Sequence, residues 1–361
     1  MFHKALWMRT YKQGKYIVLL FWLSSLYLLP YEYYSAAQSE LSRSKMKFDD
    51  YVYYYSYSFN TFDTIFLQGI ILIALACVLI GWERNNQSTD FLFSMPFKRK
   101  DIFLTKWLFG VLNIITVNII CWISMYGIKN VSFHDQYQIF TPFHTYFLYA
   151  MIVLIATYTF TLFIGTITGN IFSQSSLTAI LLFLPYGLVL LISGFVYTHT
   201  RDSVEALGEI ERKTHEYLQH VSIVAPLESF NIHFNYHPIA KFDEHGNEIS
   251  TLPQDDPKET TSVPSAWKLL TPFAYIIIFL PIATFLYTRA PNEQNGKILL
   301  FPQLQKWFVG CTVLCFALFG GRLLGGRDAF LSYYVGFFIA SIVSYFVFTY
   351  LLKWKFSFGG K

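Results

Sequence analysis

Residues 82–106 read Trp82-Glu83-Arg84-Asn85-Asn86-Gln87-Ser88-Thr89-Asp90-Phe91-Leu92-Phe93-Ser94-Met95-Pro96-Phe97-Lys98-Arg99-Lys100-Asp101-Ile102-Phe103-Leu104-Thr105-Lys106. The stretch lies between two apolar runs, 62–82 and 107–127. Each run has about 20 residues, enough for a helix to cross a hydrocarbon layer of about 30 Å. The stretch itself starts polar, turns apolar at Phe91, Leu92, Phe93 and Met95, and ends basic at Lys98, Arg99 and Lys100. Ser88 or Asp90 can cap a short helix, and Pro96 stops it. The pattern predicts a short amphipathic helix on the membrane surface between two spanning helices, with the basic cluster as its anchor.

Further apolar runs lie on either side. Taken in order, the runs are 16–29, 62–82, 107–127, 145–167, 177–197, 269–287, 307–324 and 330–352. Of the 361 residues, 54% are hydrophobic and only 14% charged, against about 25% charged in a soluble domain. This is the composition of an all-α polytopic membrane protein with about eight transmembrane helices. Lys and Arg concentrate in the termini, in 83–106 and in 288–306. That bias places both termini in the cytoplasm of a multi-pass cell-membrane protein. The division is then 1–197 with spans one to five, 198–268 as a small α+β extracytoplasmic domain, and 269–361 with spans six to eight.

Residues 1–15 form a basic amphipathic start suited to the inner membrane surface. They and the first run also resemble a signal peptide, with Ser35-Ala36-Ala37 as a cleavage site. The long start and the flanking Tyr31, Tyr33 and Tyr34 suit a retained anchor better. An outer loop, 35–61, holds a partial Tyr/Ser alternation within 51–59 that fits a short strand or a surface helix. Asp63 stands at the edge of span two, where a carboxylate needs water or a partner. Asn113 and Asn118 lie inside span three and must face other helices. These three mark a possible translocation path.

In 198–268 acids outnumber bases. A weak helical stripe covers 202–221, a hairpin turns at His245-Gly246-Asn247, and 250–264 is a loose return. The Gly-rich 320–328 reads as an outer turn. His233 and His237 would share one face of a helix, but Pro238 disfavours helix at the second. They read, with His134 and the other loop histidines, as solvated side chains, so no metal site is expected.

No Gly-x-x-x-x-Gly-Lys-[Ser/Thr], His-Glu-x-x-His or Gly-x-Ser-x-Gly occurs in the sequence. There is no basic arm for nucleic acid. The four cysteines, Cys77, Cys121, Cys311 and Cys315, all fall in spans and imply no disulfide framework. No cofactor is expected. A polytopic enzyme would need polar groups clustered at one depth, and the spans show none.

An acid directly after a span, a short apolar helix, Ser-x-Pro, a basic cluster and a Lys opening the next span together resemble the ABC-2 family of ABC transporter permeases. The resemblance runs through Glu83, Phe91, Leu92, Ser94, Pro96, Arg99 and Lys106, and Arg84 and Met95 belong to the same segment. Ser88-Thr89 stands where the family carries Gly-Thr. It covers 1–288 and looks most like Gram-positive permeases of the acetoin-utilisation or envelope-stress type, which have a large loop between spans five and six. The pair 307–352 departs from the six-span pattern. The resemblance implies that 83–100 holds a coupling helix docking on a separate cytoplasmic ABC ATPase. It further implies a non-enzymatic exporter subunit that pairs with a second permease chain, like or unlike. The competing reading is a membrane sensor or scaffold whose outer domain binds a ligand. Membrane lipid is a partner in either case.

Overall fold

The structure is a computed structural model. It describes residues 3–45, 53–86, 88–199, 230–236, 239–242, 248–251, 261–291, 296–325 and 330–353, with a few positions between 208 and 227. Among these, eight helices are long and apolar enough to cross a membrane. The helical elements are α1 (Lys4–Ser44), α2 (Thr61–Asn85), the short α3 (Ser88–Ser94), α4 (Arg99–Val131), α5 (Thr141–Ile167), α6 (Ile171–His199), α7 (Ala266–Arg289), α8 (Pro302–Leu324) and α9 (Phe330–Leu351). The expected spans are therefore present. Most begin or end beyond their apolar runs, because a helix satisfies its own backbone and continues until a cap or turn stops it.

The basic start forms the first turns of α1 itself. Pro30 does not end this helix. It sits in a π-helical turn, Tyr27–Tyr31, and the helix resumes to Ser44. A wider turn accommodates a ring that has no N–H and would collide with an α-helical carbonyl.

The Tyr/Ser alternation forms strand β1 (Tyr55–Phe59), with Tyr55, Tyr57 and Phe59 buried and the serines on the other face. Its antiparallel partner is β2 (Ile232–Tyr236), from Tyr55↔Tyr236 to Phe59↔Ile232. The segment between spans one and two is thus one sheet with the segment between spans five and six. His233 lies on a strand, where its Nε2 meets Ser58 Oγ at 3.0 Å. A second pair joins β3 (Ile239–Phe242) to β4 (Glu248–Thr251), as a hairpin requires. The turn at 245–247, His237, and most of 202–221 and 250–264 lie outside the described residues.

His134 is not solvated. It is fully buried in a closed ring of hydrogen bonds beneath β1. Tyr33 donates to Gln138 Oε1 at 2.7 Å, and Gln138 Nε2 donates to the Tyr55 hydroxyl. Tyr55 donates to His134 Nδ1 at 2.6 Å, and His134 Nε2 donates to the Tyr33 carbonyl at 3.1 Å. Aromatic rings of Tyr57, Phe143 and Tyr137 close around this ring.

The Gly-rich stretch is also corrected. Gly320 and Gly321 belong to α8 and are buried against α9. A β-carbon added at Gly320 would stand 2.7 Å from the Gly336 carbonyl oxygen, so the two backbones touch. At the opposite end from the β1–β2 sheet, the α5–α6 turn is stitched to the α7–α8 connector. Gly169 N–H donates to Lys297 O at 3.1 Å, and Leu300 N–H to Ile167 O at 2.9 Å.

Candidate coupling site

The site is built where α2 leaves the bundle. Its last turns, Cys77–Trp82, are π-helical. A π turn shifts the i→i−4 ladder and frees carbonyls for other donors, a feature concentrated at functional sites. Side chains from neighbouring helices take them. Gln13 Nε2 of α1 donates to Val78 O at 2.7 Å, and Lys106 Nζ of α4 to Leu79 O at 2.6 Å.

Glu83 follows immediately. Its side chain is buried and forms a short ion pair with the buried Lys106 ammonium. Arg9 Nη2 of α1 lies 3.6 Å from the other carboxylate oxygen. Tyr287 of α7 presents its ring 5.7 Å from Lys106 Nζ, and Tyr158 of α5 donates its hydroxyl to Lys106 O at 2.8 Å. Charges at this depth need partners of opposite sign and hydrogen bonds to be tolerated. Arg99, the basic residue of the cluster that is half-buried, is engaged away from Glu83. Its Nη1 donates to Thr288 O at 3.2 Å and Ala290 O at 3.3 Å, and its guanidinium lies over the Phe93 ring. Lys106, about two helical turns further along α4, is the cation paired with Glu83.

Arg84 points the other way. Its buried guanidinium donates to Gly165 O at 2.6 Å and to Thr168 O, with Thr166 O at 3.5 Å. These are the orphan carbonyls at the end of α5, where a cation also meets the negative end of the helix dipole. Neighbouring residues Glu83 and Arg84 thus tie the exit of α2 to α1, α4 and α5 at once.

On α3 the expected single apolar face is divided. Leu92 is 1% exposed and belongs to the core, whereas Phe91 is 65% exposed. Met95 packs partly against the core. Adjacent positions on a helix point about 100° apart, so Phe91 and Leu92 cannot serve one surface. Ser88 does not cap the helix; its hydroxyl donates to Glu83 O at 3.2 Å. Ser94 bonds back to Phe91 O at 2.8 Å. Phe91, Ser94, Pro96, Lys98 and Lys100 remain exposed around the turn. The Asp90 side chain lies outside the described part.

The three path candidates are not brought together. Asp63 is exposed in the first turn of α2, its N–H capped by the Asn60 side chain at 3.2 Å. Asn113 accepts from Trp22 Nε1 at 3.2 Å across the α1–α4 contact. Asn118 is buried and donates to its own helix at Ile114 O, 2.8 Å away. Among the described residues no group of three metal-ligating side chains forms a metal site. Arg9, Gln13, Tyr158 and Tyr287 were missed from sequence. The spacing of Arg9 and Gln13, one turn apart on a basic helix, was a usable signal; the aromatics gave none.

Residues 9–291 match the model of the ABC-2 family transporter protein. The chain is 24% identical over 357 residues to a probable ABC transporter permease, YtrC, of Bacillus subtilis, covering 96% of this chain and 92% of that one. It is 24% identical over 279 residues to a second, YtrD, of the same organism, covering 76% and 74%. A bundle of eight membrane-crossing helices, a short helix at the exit of the second, and this family match together have one meaning: the chain belongs to the ABC-2 transporter family and is a membrane permease subunit of an ABC transporter.

Proposed function

We propose that the chain is the membrane-spanning half of an ATP-driven exporter and that α3 is its contact with a separate cytoplasmic ATPase chain. In this reading both termini and α3 face the cytoplasm, and the β1–β2 sheet faces outward. Lys98, Arg99 and Lys100 beside α3 follow the positive-inside bias. A second permease chain, like or unlike, completes the passage. The ATPases close on ATP and push α3, and the Glu83–Lys106 and Arg84–α5 ties pass that displacement to α1, α4 and α5.

The observation that carries the reading is Phe91. An aromatic ring 65% exposed stands on a seven-residue helix whose other large side chains are held by the bundle. Interfaces draw most of their energy from such anchors, each worth about 2 kcal/mol or more. Phe91→Asp is expected to leave the permease inserted and stable while reducing ATPase affinity roughly thirtyfold. Co-purification of a P-loop ATPase with tagged permease measures this. Undiminished ATPase recovery with Phe91→Asp would show that the ring rests in lipid headgroups and does not dock.

A further inference from the structure

Gln174 occupies a slot that two glycines keep open. It lies in the first turns of α6 and is fully buried. A β-carbon added at Gly81, in the π turn of α2, would stand 2.7 Å from Gln174 Oε1. One added at Gly165, near the end of α5, would come 2.5 Å from Gln174 Nε2. A β-carbon at either position would force the amide to shift from its place.

Within the slot, Nε2 donates to Thr161 O of α5 at 3.1 Å and to Ala76 O of α2 at 3.3 Å. Ala76 is the residue at which α2 passes into its π turn. Gln174 therefore joins Gln13 and Lys106 as a third donor to carbonyls around this turn, each from a different helix. Its Oε1, in contrast, finds no partner among the described residues, and neither does Thr178 Oγ1 one turn further along the same face. Both side chains are fully buried.

That half-satisfied state is informative. A buried acceptor without a donor is costly. Gln174 thus serves two carbonyls with Nε2 while its Oε1 carries an uncompensated cost. As a contact that is made in one state and exchanged in another, it is suitable. Of the 29 residues of α6 only Gln174, Leu177, Thr178 and Thr198 are buried; its outer half meets α8 and α9, where Arg322 Nη1 donates to Leu190 O at 2.8 Å and His199 Nε2 lies 3.0 Å from the Tyr334 hydroxyl. The buried contacts at the inner end of this helix are those of Gln174, Leu177 and Thr178.

We infer that Gln174 is a positioning residue for transport, a latch that holds α6 against the π turn of α2 in the state seen here and releases it when α3 is displaced. The release step rests on the reading of α3 as the ATPase contact; the latch itself does not. A shift of the π turn toward α-helix would withdraw Ala76 O and unseat the amide. The inner end of α6 would then be free to move, and the two unpartnered oxygens would gain new donors.

The experiment uses a permease whose native Cys77, Cys121, Cys311 and Cys315 are replaced and in which Thr178→Cys reports exposure to N-ethylmaleimide. Ile114→Cys, at a fully buried site of α4, reports global opening. In the permease alone, Gln174→Leu is expected to speed labelling at position 178 about tenfold, equivalent to about 1.4 kcal/mol, with no change at 114. Labelling at the rate of the Gln174 protein, or equal acceleration at both positions, overturns the latch whether or not α3 docks. In the complex with its ATPase, MgATP with vanadate is expected to speed labelling at 178 in the Gln174 protein and to add nothing in Gln174→Leu. Absence of the nucleotide effect, with the first result intact, overturns the link from α3 to the latch and leaves ATPase docking to the Phe91 experiment.

Discussion

Replacing Glu83 by Gln tests the charged centre of the site. The carboxylate holds two cations, and they are not equivalent. The Lys106 side chain is 3% exposed, the Arg9 side chain 28%. Without Glu83, Arg9 turns to water, whereas Lys106 stays buried with the Leu79 carbonyl at 2.6 Å and the Tyr287 ring. Removing one member of a buried pair costs about 3–5 kcal/mol, and a retained hydrogen bond to a charged group offsets about 1–2. Glu83→Gln should therefore lower stability by about 3 kcal/mol. Glu83→Gln combined with Lys106→Met should recover most of it, since a buried pair and an apolar replacement of similar volume are often equivalent. Lys106→Met alone should cost less than Glu83→Gln, because Arg9 still faces the carboxylate. Unfolding of the purified permease in detergent by SDS titration, followed by tryptophan fluorescence, measures all three. A Glu83→Gln protein within 1 kcal/mol of wild type, or a double variant no better than the single one, would refute the assignment of Lys106 as the buried partner.

Three other outcomes follow from particular contacts. Leu92→Asp, unlike Phe91→Asp, should destabilise the permease itself, because it places a charge in the core; the same SDS titration separates the two variants. Burial depresses the His134 imidazole to about 4, below its unfolded value of about 6.5. The unfolded chain therefore binds the proton more readily. Stability is fully present above about pH 6.5, falls through the window down to about 4, and by then has dropped by about 3 kcal/mol; His134→Gln should flatten that fall when unfolding is measured against pH. Finally, on intact cells, Val263→Cys in the β-sheet region should react with an impermeant maleimide and Lys100→Cys beside α3 should not. The reverse pattern would invert the proposed orientation.

The spans were legible because their signal is local: a run of apolar residues long enough to cross a bilayer determines a helix whatever its neighbours do. Strand β1 was half-legible. Its Tyr/Ser alternation gave the period, but nothing nearby indicated a partner from residues 232–236. The segment 82–106 was legible as a pattern and misread in detail, because seven residues of helix do not reveal which side meets the bundle. Leu92 and Phe91 are alike in hydropathy and opposite in exposure. His134 and Gln174 were invisible for a common reason. Each looks like an ordinary loop residue in sequence, and its burial depends on groups contributed by distant helices. The π turn of α2 belongs to the same class, since its freed carbonyls are served by donors from distant helices, Gln13 and Lys106.

The β1–β2 pairing also sets an order of events during synthesis. Its strands are separated by about 175 positions, as the Ser58–His233 contact shows, and α2 to α6 are made in between. At roughly 5–20 residues per second, a ribosome needs on the order of ten to thirty seconds to deliver the second strand after the first. Throughout that interval β1 presents an unpaired edge and three aromatic side chains on one face. Such an edge invites pairing with the wrong chain. The helix arm Glu32–Ser44 and the Tyr33–His134–Gln138 ring supply early cover from one side, and that ring is itself complete only once residues up to 138 have emerged. Assembly of this permease is therefore most exposed to error between the emergence of its first strand and its second, a period in which folding helpers at the membrane surface have the most to offer.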